Sequence, residues 1–347
     1  MKTQARLLVG LLWIVVTSSA FAVKVDLLYQ AQVAVTTQAP LERNAALPVA
    51  LAQVLVKVSG NTRVADNPSV KSQLNTAGKI VQEFSYTALD SSQASFPSYL
   101  LSVNFDPDAV NTILRNANVP IWGQGRPLVL VWVDVEKANR LPEIISNDSP
   151  TDVLTAFQHE ARLRGLPIVF PVMDITDLNQ VSVKDVAAMT IPTVINASKR
   201  YGSEAILIGR IAQGQAGFTS QWKLILKNNE WNWNMTGGTV ETIVQPLIDN
   251  IMNTLASQYA VVTSNAVQTE LNLHVVGVTQ NEDFSKLIRY LSHLAPVANV
   301  DVARISGNEI VLRLSLRGSP EAFAHAVAGA NKLIPLNLTE WKYQWNP

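Results

Sequence analysis

The segment 127–135, PLVLVWVDV, places the strongest demand on how this 347-residue chain can fold. Val129, Val131 and Val133 alternate with Leu130, Trp132 and Asp134, so neither face of an extended strand here is polar enough to stand in water. Such a strand has to be central in a sheet that is covered on both sides. The surrounding segments fit that demand. The spacing predicts a helix over Asp152–Arg164, stopped by Gly165, then a strand in LPIVFPV, a stretch holding Asp174 and Asp177, a helix over 190–201 and a strand in EAILIGRIA. Helices alternating with buried strands predict a parallel or mixed sheet.

The next hairpin can be registered by hand. With Asn228-Asn229 as a two-residue turn, Lys227 faces Glu230, Leu226 faces Trp231, Leu224 faces Trp233 and Trp222 faces Met235. Every large apolar residue but Ile225 then lies on one side, with Lys223, Asn232 and Asn234 on the other. A slip of one residue would scatter that set over both faces. TVETIVQPLIDNIMNTLASQYAV follows as an amphipathic helix with Ile243, Leu247, Ile251, Leu255 and Tyr259 along one stripe, the natural cover for the tryptophan face. Trp231 and Trp233, spaced i, i+2, have the pattern of a sugar-stacking platform. Leu224, Leu226 and Met235 share their face, however, and a wet surface of that kind is an aggregation hazard, so packing into the core is the expectation.

Two further blocks flank this one. The first reads as a strand in VKVDLLYQAQVAV, a helix over 41–58 with Leu51, Val54, Leu55 and Val58 on one face and Gly60 to end it, strands in IVQEFSYTAL and SYLLSVNF, and a helix in DPDAVNTILRNA. Asp106 is placed to cap that last helix, with Pro107 at its first position. The last block reads LNLHVVGV (strand), 281–294 (helix), NVDVARI and EIVLRLSL (strands) and 319–331 (helix). A final strand in LNLTEWKYQW gives the β-α-β-β-α-β order of a ferredoxin-like module. Its strand-to-helix segment echoes that of the first block, by duplication or by the recurrence of a common pattern. A chain of this length suggests two or three domains. The expectation is a multi-domain α/β and α+β protein: a signal peptide at 1–22, an N-terminal β-α-β-β-α module at 23–122, a middle mixed-sheet α/β domain at 126–262 and a ferredoxin-like module at 267–347.

The signal peptide is read from MKTQARLLVGLLWIVVTSSAFA, with Lys2 and Arg6 ahead of an apolar run at 7–16 and a small-x-small site ending at Ala22, so that the secreted chain starts at Val23. The run is about half the ~20 residues that a bilayer span needs, so no membrane span is expected to be retained. The chain has no cysteine, which excludes a lipid anchor on a lipobox cysteine, disulfides, a thiol nucleophile and thiolate metal sites. Loss of Lys2 and Arg6 takes the basic residues from 27 to 25 against 27 acidic ones, and no dense Lys/Arg cluster is present, so no nucleic-acid partner is expected. The expected location is the periplasm.

Most chemical motifs fail on spacing. In RYGSEAILIGRIAQG, Gly209 and Gly214 enclose four residues behind an apolar strand, as in a phosphate-cradling loop. That loop needs a following Lys and Ser/Thr to reach the phosphates and Mg²⁺, and Gln215 and Ala216 stand there instead. Gly123-Gln124-Gly125 lacks the third glycine of a dinucleotide turn, and its strand follows instead of preceding it. His159-Glu160 opens like a zinc-protease helix, but Leu163 occupies the second ligand position. His274, His293 and His325 share no acidic cluster, and there is no G-x-S-x-G elbow. No catalytic residue, metal site or cofactor is predicted. The remaining ligand-binding candidates are Asp174 and Asp177, because carboxylates at the C-terminal end of a parallel strand are where α/β sheets bind ligands. Arg126, Arg200 and Arg210 flank the same sheet and can clamp an anion. Each also has an ordinary reading, since Asp before a turn caps and Arg at a strand end pairs with a nearby carboxylate.

NAALPVALAQVLVKVSGN, VNFDPDAVNTILRNANVPIWGQGRPLVLVWVDVE, RGLPIVFPVMDITD and ASKRYGSEAILIGRI together resemble the Gram-negative envelope family catalogued as domain of unknown function 2066, over about 25–261. The middle block, in which Tyr201-Gly202-Ser203-Glu204-Ala205 leads into a strand reaching Gly209, is similar in topology to the TolB N-terminal type α/β domain. These resemblances imply an envelope protein with no assigned activity and no catalytic residues to carry over. The reading that follows is a non-enzymatic periplasmic interaction or assembly module with a protein partner in the cell envelope. The alternative is a periplasmic enzyme or glycan-binding protein that uses the Asp174/Asp177 strand edge.

Overall fold

The computed structural model describes residues 22–24, 27–89, 97–137, 140–260, 269–328 and 332–346, and the leader segment 1–21 lies outside them. Ala22 and Val23, which bracket the expected cleavage point, stand in strand β1 (Ala22–Lys24). The first core region holds β2 (Gln30–Val35), α1 (Pro40–Ser59), α2 (Pro68–Gln73), β3 (Val81–Ala88), β4 (Tyr99–Phe105) and α3 (Pro107–Asn116), with an antiparallel sheet in the order β2-β4-β3. Helix α1 buries Leu47, Leu51, Val54, Leu55 and Val58 against that sheet. It ends at Gly60, whose φ of 68° is left-handed; a Cβ there would lie 2.5 Å from the Cβ of Ala256 and 2.9 Å from Cε3 of Trp122. Glycine therefore both terminates the helix and lets its end approach the second core closely. Asp106 caps α3 as predicted, accepting from the Ala109 N–H at 2.7 Å.

The second region comprises β5 (Gly125–Pro127), β6 (Val129–Glu136), β7 (Glu143–Ile144), α4 (Asp152–Arg164), β8 (Ile168–Val169), α5 (Ile175–Gln180), α6 (Val183–Ala187), α7 (Ile191–Ser198), β9 (Ala205–Gly214), β10 (Gly217–Leu226), β11 (Asn229–Gly237) and α8 (Val240–Tyr259). Its mixed sheet runs β11-β10-β9-β6, with β7 and β8 sharing the other edge of β6, and β5 pairs separately with β1. Strand β6 is parallel to β8 and β9 and antiparallel to β7. Val129, Val131, Val133 and Val135 of β6 pack with α4 and α8 on one face, while Leu130 and Trp132 pack with Ile208, Ile225, α6 and α7 on the other. The central strand is thus covered on both sides, as its composition requires. The strand expected in LPIVFPV is only the two residues of β8, because Pro167 and Pro171 on either side have no N–H to give to a ladder.

The hairpin of β10 and β11 turns at Lys227-Asn228, not at Asn228-Asn229, with Lys227 at a left-handed φ of 54°. Leu226 consequently faces Asn229, Leu224 faces Trp231 and Trp222 faces Trp233. The pairing is displaced by two residues from the expected one. Side chains alternate with period two, so the displacement preserves the faces. Trp222, Leu224 and Leu226 are buried, and Trp231, Trp233 and Met235 pack against the same core together with α8.

The third region contains β12 (Thr269–Val276), α9 (Asn281–Ser292), β13 (Val297–Ser306), β14 (Glu309–Leu316), α10 (Pro320–Ala328), β15 (Leu333–Asn337) and β16 (Lys342–Trp345). The sheet order is β13-β14-β12-β16-β15. Its first five elements follow the ferredoxin-like order, but β16 runs parallel to β12 and separates it from β15. Burial explains the insertion: Tyr343 and Trp345 of β16 are both buried, while β15 buries only Leu333, so the aromatic strand takes the inner place. The architecture is mixed α/β and α+β with three multi-stranded sheets among the described residues. No helix among them is long and apolar enough to cross a membrane.

Candidate functional site

Asp174 and Asp177 converge with Arg200 and Tyr201 in the helical layer that covers the Trp132 face of the central sheet. Asp174 is the N-cap of α5, its Oδ1 accepting from the N–H groups of Thr176 and Asp177 at 3.0 Å each. Arg200 grips the same carboxylate in bidentate fashion, Nη1 to Oδ1 at 2.6 Å and Nη2 to Oδ2 at 2.7 Å, and Nη1 also reaches Asp177 Oδ1 at 3.0 Å. Asp177 is completely buried; its Oδ2 accepts from the Met173 N–H at 3.0 Å and from the Tyr201 hydroxyl. Tyr201 in turn accepts the Val172 N–H at 2.9 Å and packs edge-on against Trp132. Every carboxylate oxygen in the group is already occupied. The short β8 and the irregular residues after it, and not the tip of a long parallel strand, bring the two aspartates here.

The electrostatics match that closure. The hydrogen bonds from Arg200, with the Asp177 N–H, hold the Asp174 carboxyl well below the usual carboxylate range, and Arg200 is correspondingly raised. Burial, followed by donation to Asp177, pushes the Tyr201 phenol up to about 12. Because the folded-state value of Asp174 is depressed, its contribution to stability is present above the unfolded carboxyl value of about 3.9 and is lost as pH falls through the folded value. In a carbon-detected NMR titration Asp174 is expected to titrate below that reference in the wild type and to move back toward it in Arg200→Gln. Identical titration in the two proteins would refute the coupling.

The other two arginines stand elsewhere. Arg126 is fully buried and its guanidinium donates to backbone carbonyls only, among the described residues: Arg164 at 3.0 Å, Gly165 at 2.8 Å, Trp122 at 3.3 Å, Gly123 at 3.4 Å, and Lys57. It also lies 4.4 Å from the centre of the Trp122 ring. Lys57 is in the last turn of α1, and Arg164 and Gly165 end α4, so the cation sits at the negative ends of two helix dipoles. Burial pushes its pKa down to about 9, which still leaves it charged at neutral pH. Arg210, on β9, pairs with Glu136 and stands 3.7 Å from Asp134. Asp134 is buried with neither oxygen hydrogen-bonded among the described residues, and that burial raises its carboxyl pKa. Only Arg200 therefore joins the two aspartates.

A cavity of 410 Å³ lies between the three core regions, apart from Asp174, Asp177, Arg200 and Arg210, while the Trp122, Gly123 and Gly125 neighbours of Arg126 belong to its lining. Tyr29, Trp122, Tyr259, Tyr290, His293 and His325 are among its lining. Sequence reasoning missed it because the lining is contributed by segments far apart in the chain. The one local signal was Trp122, a large aromatic at a block boundary and not inside a periodic run.

Fold and site together define a mixed α/β and α+β protein whose best-formed polar cluster is internally satisfied. Residues 22–123 match the family model described as Domain of unknown function (DUF8605). That match corrects the resemblance to domain of unknown function 2066. The motifs that suggested the latter, such as a strand running into a helix capped by Asp106 and Pro107, are ones that any capped strand-to-helix junction requires. A comparison with curated proteins finds no match. Among solved structures, the LpoB C-terminal domain from Salmonella enterica is 15% identical and covers 33% of this chain and 83% of its own, with a TM-score of 0.23.

Proposed function

We propose that the chain is a non-enzymatic interaction or assembly module of the cell envelope, exported to the periplasm by a signal peptide ending at Ala22. On this reading 23–122, 126–262 and 267–347 are its modules, and a protein of the envelope is its partner. The observation that carries the non-enzymatic part is the saturation of Asp174, Asp177 and Arg200 by one another. A general acid or base needs a carboxyl with a free lone pair and a pKa near the working pH. Asp174 has neither. The N-terminal pattern of two cations, a short apolar run and a small-x-small site supports the location. The test is crosslinking in intact Gram-negative cells that express the tagged full chain, followed by mass spectrometry. The expected result is a mature chain starting at Val23, joined reproducibly to one envelope protein. Retention of Met1, or turnover of a peptide or glycan that disappears in Asp174→Asn, would overturn the reading.

A further inference from the structure

The cavity between the core regions has a polarity that points to a ligand. Four aromatic rings line it, those of Tyr29, Trp122, Tyr259 and Tyr290. Trp122 and Tyr259 stack with centroids 6.2 Å apart and planes 8° apart, and Tyr259 meets His325 of α10 edge-on at 6.2 Å. Its volume of 410 Å³ is within the range of about 300–1,000 Å³ typical of small-molecule sites. Lys286, Arg289 and Lys332 bring positive charge to the lining, and among the described residues Asp108 alone brings negative. Lys286 is engaged with Glu282 at 2.9 Å, whereas Arg289 and Lys332 have no acidic partner among the described residues.

The lining is also short of acceptors. Trp122 Nε1 and the Tyr290 hydroxyl are buried and have no hydrogen-bond partner among the described residues. Trp122 is 2% exposed, so its N–H is shut off from bulk water. Burial raises the Tyr290 phenol above its ordinary value, which keeps it an O–H donor at neutral pH. Buried donors are almost always satisfied in native proteins, so two in residues that line one cavity, beside two cations with no acidic partner among the described residues, favour an acceptor brought to the cavity from outside those residues.

We propose that this cavity binds a small amphipathic organic anion, with its apolar body against the Trp122, Tyr259 and Tyr290 rings and its acidic group facing Arg289 and Lys332. The site does not depend on the reading of the chain as an envelope interaction module. The test is calorimetric titration of the full mature chain with 2-naphthoate and decanoate, each beside its neutral counterpart, 2-naphthol and decanol. At least one acid is expected to bind saturably, one per chain, and at least about tenfold tighter than its alcohol. Arg289→Gln/Lys332→Gln removes charge without touching the core and is expected to weaken the acid at least about tenfold while leaving the alcohol and the melting temperature unchanged. Ala326→Trp, which fills the cavity, is expected to abolish binding of both. No saturable binding of either acid, equal binding of acid and alcohol, or acid binding indifferent to the double substitution would each overturn the proposal.

Discussion

Arg126→Met is expected to lower the unfolding free energy by about 3–5 kcal/mol, a large part of the roughly 5–15 kcal/mol that holds a typical domain together. The guanidinium is fully buried and satisfies carbonyls from the end of α1, the end of α4 and the 122–123 turn. A methionine of similar length fills the space and leaves all of them without a donor. Each buried carbonyl so orphaned costs about 1–3 kcal/mol, moderated where local movement admits water. Arg126 also ties the first core region to the second, because its acceptors include Lys57 on one side and Gly165 on the other. Arg126→Lys keeps the charge but offers donors from one point, which cannot span carbonyls arranged around a planar fork, so it too is expected to destabilise strongly. Arg313→Met, at an exposed position, is the control and is expected to shift stability by less than about 0.5 kcal/mol. Urea unfolding of the three variants decides the matter. Equal midpoints for Arg126→Met and Arg313→Met would show that the buried guanidinium is not a staple.

Arg126 also shows where sequence reading ends. In the sequence it is one more cation beside a strand, and an anion clamp is a fair expectation. Nothing local says that its acceptors come from residues 57 and 164–165, which only the tertiary fold brings together. Elements whose signal is local were legible: the doubly apolar β6, the stop of α4 at Gly165, the Asp106 cap of α3 and the apolar stripe of α8. The β10–β11 register was legible only modulo two, since a two-residue displacement leaves every side chain on its face. The place of β16 beside β12 was not legible, because strand order depends on how much Tyr343 and Trp345 gain by burial across the whole sheet. For the candidate site, the sequence located the Asp174/Asp177 cluster but not its closure. Capping and ligand binding use the same residue type at the same position, and only the reach of Arg200 from 26 residues away separates them.

Ile208→Asp is expected to unfold the second core region outright, and with it comes the answer to what Gly209 and Gly214 are for. Ile208 is fully buried in β9, where it pairs with Trp132 of β6 and Lys223 of β10, and an unpaired carboxylate there costs several kcal/mol by order of magnitude. The next residue points to the opposite face. A Cβ on Gly209 would stand 2.0 Å from Cε3 of Trp222, whose indole is 1% exposed and packs 5.5 Å from the Phe157 ring. The space in front of Gly209 is therefore occupied by tryptophan, not kept open for a phosphate. Gly209→Val has to displace that ring from a filled core, which costs about 1–3 kcal/mol or more. Gly214 has only the Gly217 carbonyl oxygen nearby, at 3.8 Å, and its φ lies outside the left-handed region, so Gly214→Ala is expected to cost about 1 kcal/mol or less. A phosphate-cradling loop requires the reverse, with both glycines indifferent for folding and both needed for close approach of the backbone to a ligand. Thermal unfolding of the three variants, with and without ATP, separates the two accounts. Wild-type stability at Gly209→Val, together with an ATP-dependent rise in melting temperature that vanishes at Gly214→Ala, would show that the glycines serve a nucleotide and not the packing of Trp222.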